Sequence, residues 1–246
     1  LIFPVTLLIS RYLYAPSFGL YEDDYTRIPP AMQMNLEELA RIIPTFFSSL
    51  FGHGRPLQFT FTYSLAYLGS KIGGLLGIYA MGFLVLTLNA IIFYFLLKRL
   101  TNRTYAIVGT ILFCVYSADT NQAYLTRSLG VFPAITFALL AMHAYLSDRK
   151  IMTYVFAIAL LLTYETPYPI LFAMPMLNLK HKWNHSFAKK IVKNSIILAL
   201  LLGITIAVRL SMGEDRVAGL TLTDTLLEAL TQMLIGPAVN LGLFVY

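Results

Sequence analysis

Three consecutive acids, Glu22, Asp23 and Asp24, follow the first apolar segment of a chain otherwise dominated by lipid-compatible residues. Paired carboxylates suit group transfer to a hydroxyl, which is a poor nucleophile until a base takes its proton as the new bond forms. A second acid beside that base can hold it, orient the acceptor, or ligate a divalent cation through hard oxygen ligands. Asp24 or Asp23 is therefore the candidate base and Glu22 a candidate substrate contact. A divalent cation, Mg2+ or Mn2+, is the one cofactor the aspartate pair could take. The plain alternative is a solvated acidic loop or a helix cap. One charge at mid-bilayer costs roughly 3 kcal/mol on insertion scales, so the three acids must face water or a protein cavity at a membrane surface.

Other residues carry compatible chemistry. Arg55 precedes Pro56 in a glycine-flanked turn, where a guanidinium can grip a phosphate through a bidentate contact or stabilise it as it leaves; headgroup anchoring is the alternative. His53 and Gln58 flank it and can orient substrate. Arg127, read as part of an outer loop, is a second phosphate ligand or a snorkelling anchor. Glu165 lies between Tyr164 and Thr166 at the end of an apolar span, where an ionised carboxylate needs a cationic or hydrogen-bonding partner. Tyr164 and Glu165 can bind sugar-like hydroxyls, or simply reach water. Asn89 and His143 fall within spans, where interhelical hydrogen bonds account for them.

The elements that must position these residues are membrane helices. Of 246 residues, 58% are hydrophobic and only 12% charged, with mean hydropathy +0.70, well outside the soluble range. The predicted fold is all-α, a polytopic helical bundle forming one domain over 1–246, with an external loop over 15–74. Leu1 and Tyr246 both lie in apolar runs, so the ends read as cut. Residues 1–14 read as half a span ending in Arg11, Tyr12 and Tyr14 at an interface. The pair Pro29 and Pro30 reads as a breaker. Asn35 with Glu38 predicts a capped amphipathic helix bearing Leu36, Leu39, Ile42, Ile43, Phe46, Phe47 and Leu50 on one face, with a kink or split at Pro44. A juxtamembrane helix over 59–68 stops near Gly69 to Gly74. Spans follow at 75–97, 104–118, 129–146, 151–164 and 194–211, with a shorter segment over 170–179. A polar loop carrying Glu214, Asp215, Arg216, Asp224 and Glu228 then precedes an apolar run from 233.

Charge sorts along this path. The turns after 97, 146 and 179 hold ten lysines and arginines and the single acid Asp148, which makes them cytoplasmic by the positive-inside rule. The acids at 22–24 then face outward. The net charge of +6 is a topology signal rather than a nucleic-acid patch. The lone Cys114 allows neither a disulfide framework nor a cysteine metal site.

An outer-face acidic pair after a first helix, juxtamembrane helices and short inner turns resemble the GT-C superfamily of integral-membrane glycosyltransferases. The run Gly54, Arg55, Pro56, Leu57, Gln58 and the pair Tyr164 and Glu165 look like its bacterial group that decorates O-antigen and other surface glycans. That resemblance implies a polyprenyl-phosphate sugar donor, a glycan, lipid or protein acceptor, and a multi-pass protein of the bacterial inner membrane with its active loop facing the periplasm. It also implies Asp23 or Asp24 as base and Arg55 and Arg127 as phosphate ligands. These families often carry a C-terminal part that helps bind acceptor, and the ends that read as cut would place any such part outside these 246 residues. The competing readings are a multi-pass transporter and a non-catalytic membrane scaffold.

Overall fold

The computed structural model describes residues 1–48, 54–116, 121–177 and 185–211, and these are helical with no strand among them. His53, Leu50, Lys180, Lys182, the polar loop with Glu214 to Glu228 and the run from 233 lie outside the described residues. Three helical stretches are long and apolar enough to cross a membrane: Pro56–Leu100, Leu125–Leu146 and Phe187–Ser211.

The chain opens with α1 (Ile2–Leu7), which continues through a π-helical turn, Leu8–Tyr12. Arg11 does not anchor at an interface as predicted. It is buried, its Nε donating to Cys114 O at 2.8 Å and Nη2 to Tyr116 O at 3.1 Å and Phe113 O at 3.3 Å. Those carbonyls end α5 (Arg103–Val115), so a cation caps the negative end of a helix from a distant part of the chain.

Helix α2 (Asp24–Gln33) runs through Pro29 and Pro30 instead of breaking at them. The two missing amide donors weaken it, and burial of Ile28 and Ala31, with the packing of α2 on the long helical run Pro56–Leu100, holds it. Helix α3 (Leu36–Ser48) likewise passes Pro44 unbroken. Its start is the predicted reciprocal cap: Glu38 N donates to Asn35 Oδ1 and Asn35 N to Glu38 Oε2, both at 2.9 Å. Of its apolar face, Leu39 and Phe46 are buried, whereas Leu36 and Phe47 are more than half-exposed or close to it.

Helix α4 (Pro56–Leu100) is two helices in one run. Its backbone leaves helical geometry at Gly73 and Gly74, the latter at φ 59°, a left-handed value that only glycine adopts without strain. The arms over 56–72 and 75–100 then fold close together: a Cβ on Gly77 would lie 2.2 Å from Gly69 O, and one on Gly69 2.6 Å from Ile78 Cα. No side chain fits between them. The stop predicted near Gly69 to Gly74 is this reversal.

Helices α6 (Leu125–Gly130) and α7 (Phe132–Leu146) meet at Val131. The loop predicted to hold Arg127 is therefore already helical there. Asn89 Nδ2 donates to Phe132 O at 3.0 Å and Thr136 Oγ1 to Asn89 Oδ1 at 2.5 Å, the expected interhelical bonds. At the far end Arg99 Nη1 reaches His143 O at 3.1 Å and Ser147 Oγ at 2.9 Å. Helix α8 (Lys150–Thr163), a 3-10 segment Tyr168–Leu177 and α9 (His185–Ser211) complete the described chain. At 1.5 Å per residue, α5 and α8 are about 20 Å long, short of the roughly 30 Å hydrocarbon core.

Candidate functional site

The acidic turn is closed by backbone bonds from Asp24 N to Tyr21 O at 2.8 Å and Thr26 N to Asp23 O at 3.1 Å. Glu22 takes φ 47° at its apex, a left-handed conformation uncommon for a side chain of its size. The turn sends the three acids in three directions.

Asp24 points inward and is fully buried. Its Oδ1 accepts from Thr126 N and Thr126 Oγ1, both at 2.8 Å, and its Oδ2 from Leu125 N at 2.9 Å and Tyr21 N at 3.3 Å. The carboxylate thus caps the N-terminus of α6 across a hundred residues of sequence, where orphan amides and the helix dipole favour an anion. Through these four donors the aspartate ties the turn to α6.

Asp23 precedes α2 and is exposed. It lines a small cavity of about 150 Å³ with Arg27, Arg55, Gln58, Phe59, Thr62 and Thr126. Arg27 lies one helical turn beyond Asp23 and carries its guanidinium 4.6 Å over the Phe59 ring. Glu22 turns outward to Arg127 Nη2 at 3.1 Å, with Arg127 stacked 4.5 Å over Tyr124; both charged side chains are about half-exposed. This pair stands beside the cavity and not in its lining.

The second cluster adjoins the first through Arg55. Its Nε donates to Glu165 Oε2 at 3.0 Å and its Nη2 to Glu165 Oε1, while its plane lies 4.6 Å over Tyr164. From the far side Arg209 Nη2 approaches Glu165 Oε2 at 3.3 Å and Leu161 O at 3.0 Å, and Arg209 Nε donates to Gly54 O at 3.2 Å. Gly54 sits at φ +68°, and a Cβ there would lie 2.4 Å from Arg209 Cγ. Glycine serves twice, for its backbone angle and for the room it leaves Arg209. Burial pushes the Glu165 carboxyl up, but the hydrogen bond from Arg55 and the charges of Arg55 and Arg209 outweigh it and hold the group below its ordinary value.

Comparison with known proteins finds no matching family model, no matching curated protein and no matching solved structure.

The structure brings Asp23, Arg55 and Gln58 to one cavity, with Asp24 behind its wall through Thr126 and with Tyr164 and Glu165 held by Arg55. Arg27 and Arg209 are additions. Arg27 was legible as the i+4 neighbour of Asp23 on a helix face, and Arg209 as a cation embedded in an apolar span. Around the cavity and the adjoining cluster, three guanidinium groups face two carboxylates, a balance that suits an anionic ligand with hydroxyl groups. The described residues do not assemble a site for a divalent cation: no three His, Cys, Asp or Glu side chains among them converge, and both Asp24 oxygens already take protein donors.

Proposed function

We propose that this chain is part of a membrane glycosyltransferase that takes a sugar from a polyprenyl-phosphate donor on the extracytoplasmic face of the bacterial cytoplasmic membrane. The observation that carries the reading is a carboxylate, Asp23, lining the same polar cavity as Arg27 and Arg55, in a chain with helices long and apolar enough to cross a bilayer. Asp23 takes the acceptor hydroxyl proton as that oxygen attacks the anomeric carbon. The bond from that carbon to the phosphate oxygen breaks, its electron pair leaves with polyprenyl phosphate, and the guanidinium groups stabilise the charge that develops. Single displacement inverts the anomeric centre. At about 150 Å³ the cavity is below the usual ligand-pocket range of roughly 300–1,000 Å³, so it holds the reacting end of the donor while the prenyl chain stays in lipid. Gln58, Thr62 and Thr126 supply hydrogen bonds to sugar hydroxyls.

The test is transfer from polyprenyl-phosphate sugars by the full chain in nanodiscs. Asp23→Asn should lower kcat by about a hundredfold or more, the usual scale of a lost general base, with unchanged membrane insertion and Tm. Asp24→Asn should act through stability, since an amide NH2 would face backbone donors. A loss of about 1–3 kcal/mol per group left unpaired is expected from thermal unfolding. Undiminished product formation by Asp23→Asn would remove the catalytic assignment.

A further inference from the structure

A cavity of about 830 Å³ opens beyond the first turn of α8, walled by Lys150, Lys190 and Lys193 together with Asp148, Tyr145 and Tyr154. Glu165 and the candidate site follow the other end of α8, whose 14 residues separate the two regions by about 21 Å. The proposed chemistry uses none of these residues.

Its charge is unbalanced. Lys150 Nζ lies 4.0 Å from Asp148 Oδ1 with both side chains largely exposed, a pair worth little in water. Among the described residues neither Lys190 nor Lys193 forms an ion pair. Their spacing sets both on one face of α9 with Asn194, and Asn194 also lines the cavity. Asn194 is buried and donates Nδ2 to Leu171 O at 3.3 Å, and its Oδ1, which has no partner among the described residues, is an acceptor open to a hydroxyl of a bound head group and not to the phosphate itself. Ammonium groups gathered on one wall repel each other, and an anion between them relieves that repulsion.

The surroundings point to the form of the anion. On the adjoining face of α9, Val192, Ile196, Leu200 and Ile204 follow one another at i+4 spacing, each more than half exposed, and on α8 Ile151 is 80% exposed. A cationic mouth beside an apolar stripe fits an amphiphile whose phosphate sits among the lysines and whose acyl chains run along α9. A soluble phosphate would make no use of that stripe. We infer that this cavity binds the phosphate head group of an anionic membrane lipid.

The experiment uses the full chain in phosphatidylcholine nanodiscs, with phosphatidylglycerol titrated in and thermal unfolding as readout. Phosphatidylglycerol should raise Tm saturably. Lys190→Gln with Lys193→Gln should need about tenfold or more lipid for the same shift, as expected for lost charge-assisted hydrogen bonds. Lys190→Arg with Lys193→Arg should restore the response, and Arg103→Gln, which removes an exposed basic residue outside the cavity, should leave it unchanged. Three outcomes overturn the inference: no preference for phosphatidylglycerol over phosphatidylcholine, an equal loss in Arg103→Gln, or stabilisation by inorganic phosphate with no response to phosphatidylglycerol.

Discussion

Two adjacent aspartates with the same chemistry have different fates in this fold. Asp24 receives four hydrogen bonds inside the protein, whereas Asp23 stays exposed at the edge of a cationic cavity. A base has to exchange a proton with substrate, so the accessible carboxylate is the one suited to chemistry and the buried one to holding the turn against α6. Glu165 shows how charge survives beside apolar spans: two guanidinium groups offset its desolvation. Its depressed pKa carries a pH prediction. A carboxylate whose pKa falls on folding contributes stability that is full above its unfolded value, about 4.3, and is lost as pH falls through the lower folded value. The Tm difference between wild type and Glu165→Gln should be constant from about pH 8 to 5 and shrink below about pH 4. A difference that does not change on acidification would show that the Arg55, Glu165 and Arg209 contacts contribute nothing to folding.

Among the elements, α4 sets the geometry of the site. Reversal at Gly73 and Gly74 allows one run of sequence to supply both a short arm bearing Arg55, Gln58, Phe59 and Thr62 at its beginning and a long apolar arm. The arms approach until Gly69 and Gly77 touch backbone to backbone. Gly77→Ala should therefore cost about 1–3 kcal/mol or more, because the atom it strikes is a carbonyl that cannot rotate away. Gly203→Ala is the matched control: nothing lies within 4 Å of its Cβ, and alanine should be neutral or stabilise α9 by about 0.5–1 kcal/mol. Unfolding in detergent would distinguish them, and equal midpoints would mean that the arms do not pack so closely. The prolines teach the converse. Pro29, Pro30 and Pro44 lie inside helices because the apolar faces of α2 and α3 are held against other helices, which offsets missing backbone bonds.

For the whole molecule, the two ends of the helical array differ in charge chemistry. One end carries Asp23, Arg27, Arg55, Glu165 and Arg209, three guanidinium groups interleaved with two carboxylates, and the other gathers Arg99, Lys150, Lys190 and Lys193. The proposed orientation sets the first end outside. The chain has one cysteine, Cys114, which is fully buried, so single added cysteines report topology without background. Glu37→Cys should react with an impermeant maleimide in intact cells, and Arg149→Cys only after the membrane is opened. The reverse pattern would place the candidate site in the cytoplasm and remove the periplasmic reading.

Composition and hydropathy by themselves determine that the described chain is helical with membrane-length segments, since an unpaired backbone cannot lie in lipid. Local pattern also determines the Asn35 to Glu38 cap, the glycine break in α4 and the acidic turn, because each is set by neighbours within a few residues. Only the tertiary structure decides which aspartate is buried, because the donors to Asp24 come from Tyr21 and, a hundred residues on, from Leu125 and Thr126. The same holds for Arg11, whose acceptors lie at the end of α5, and for Arg209, which reaches Glu165 and Gly54 from a different helix. A sequence shows that a charge near lipid needs a partner, but the partner is chosen by which helix ends meet in space.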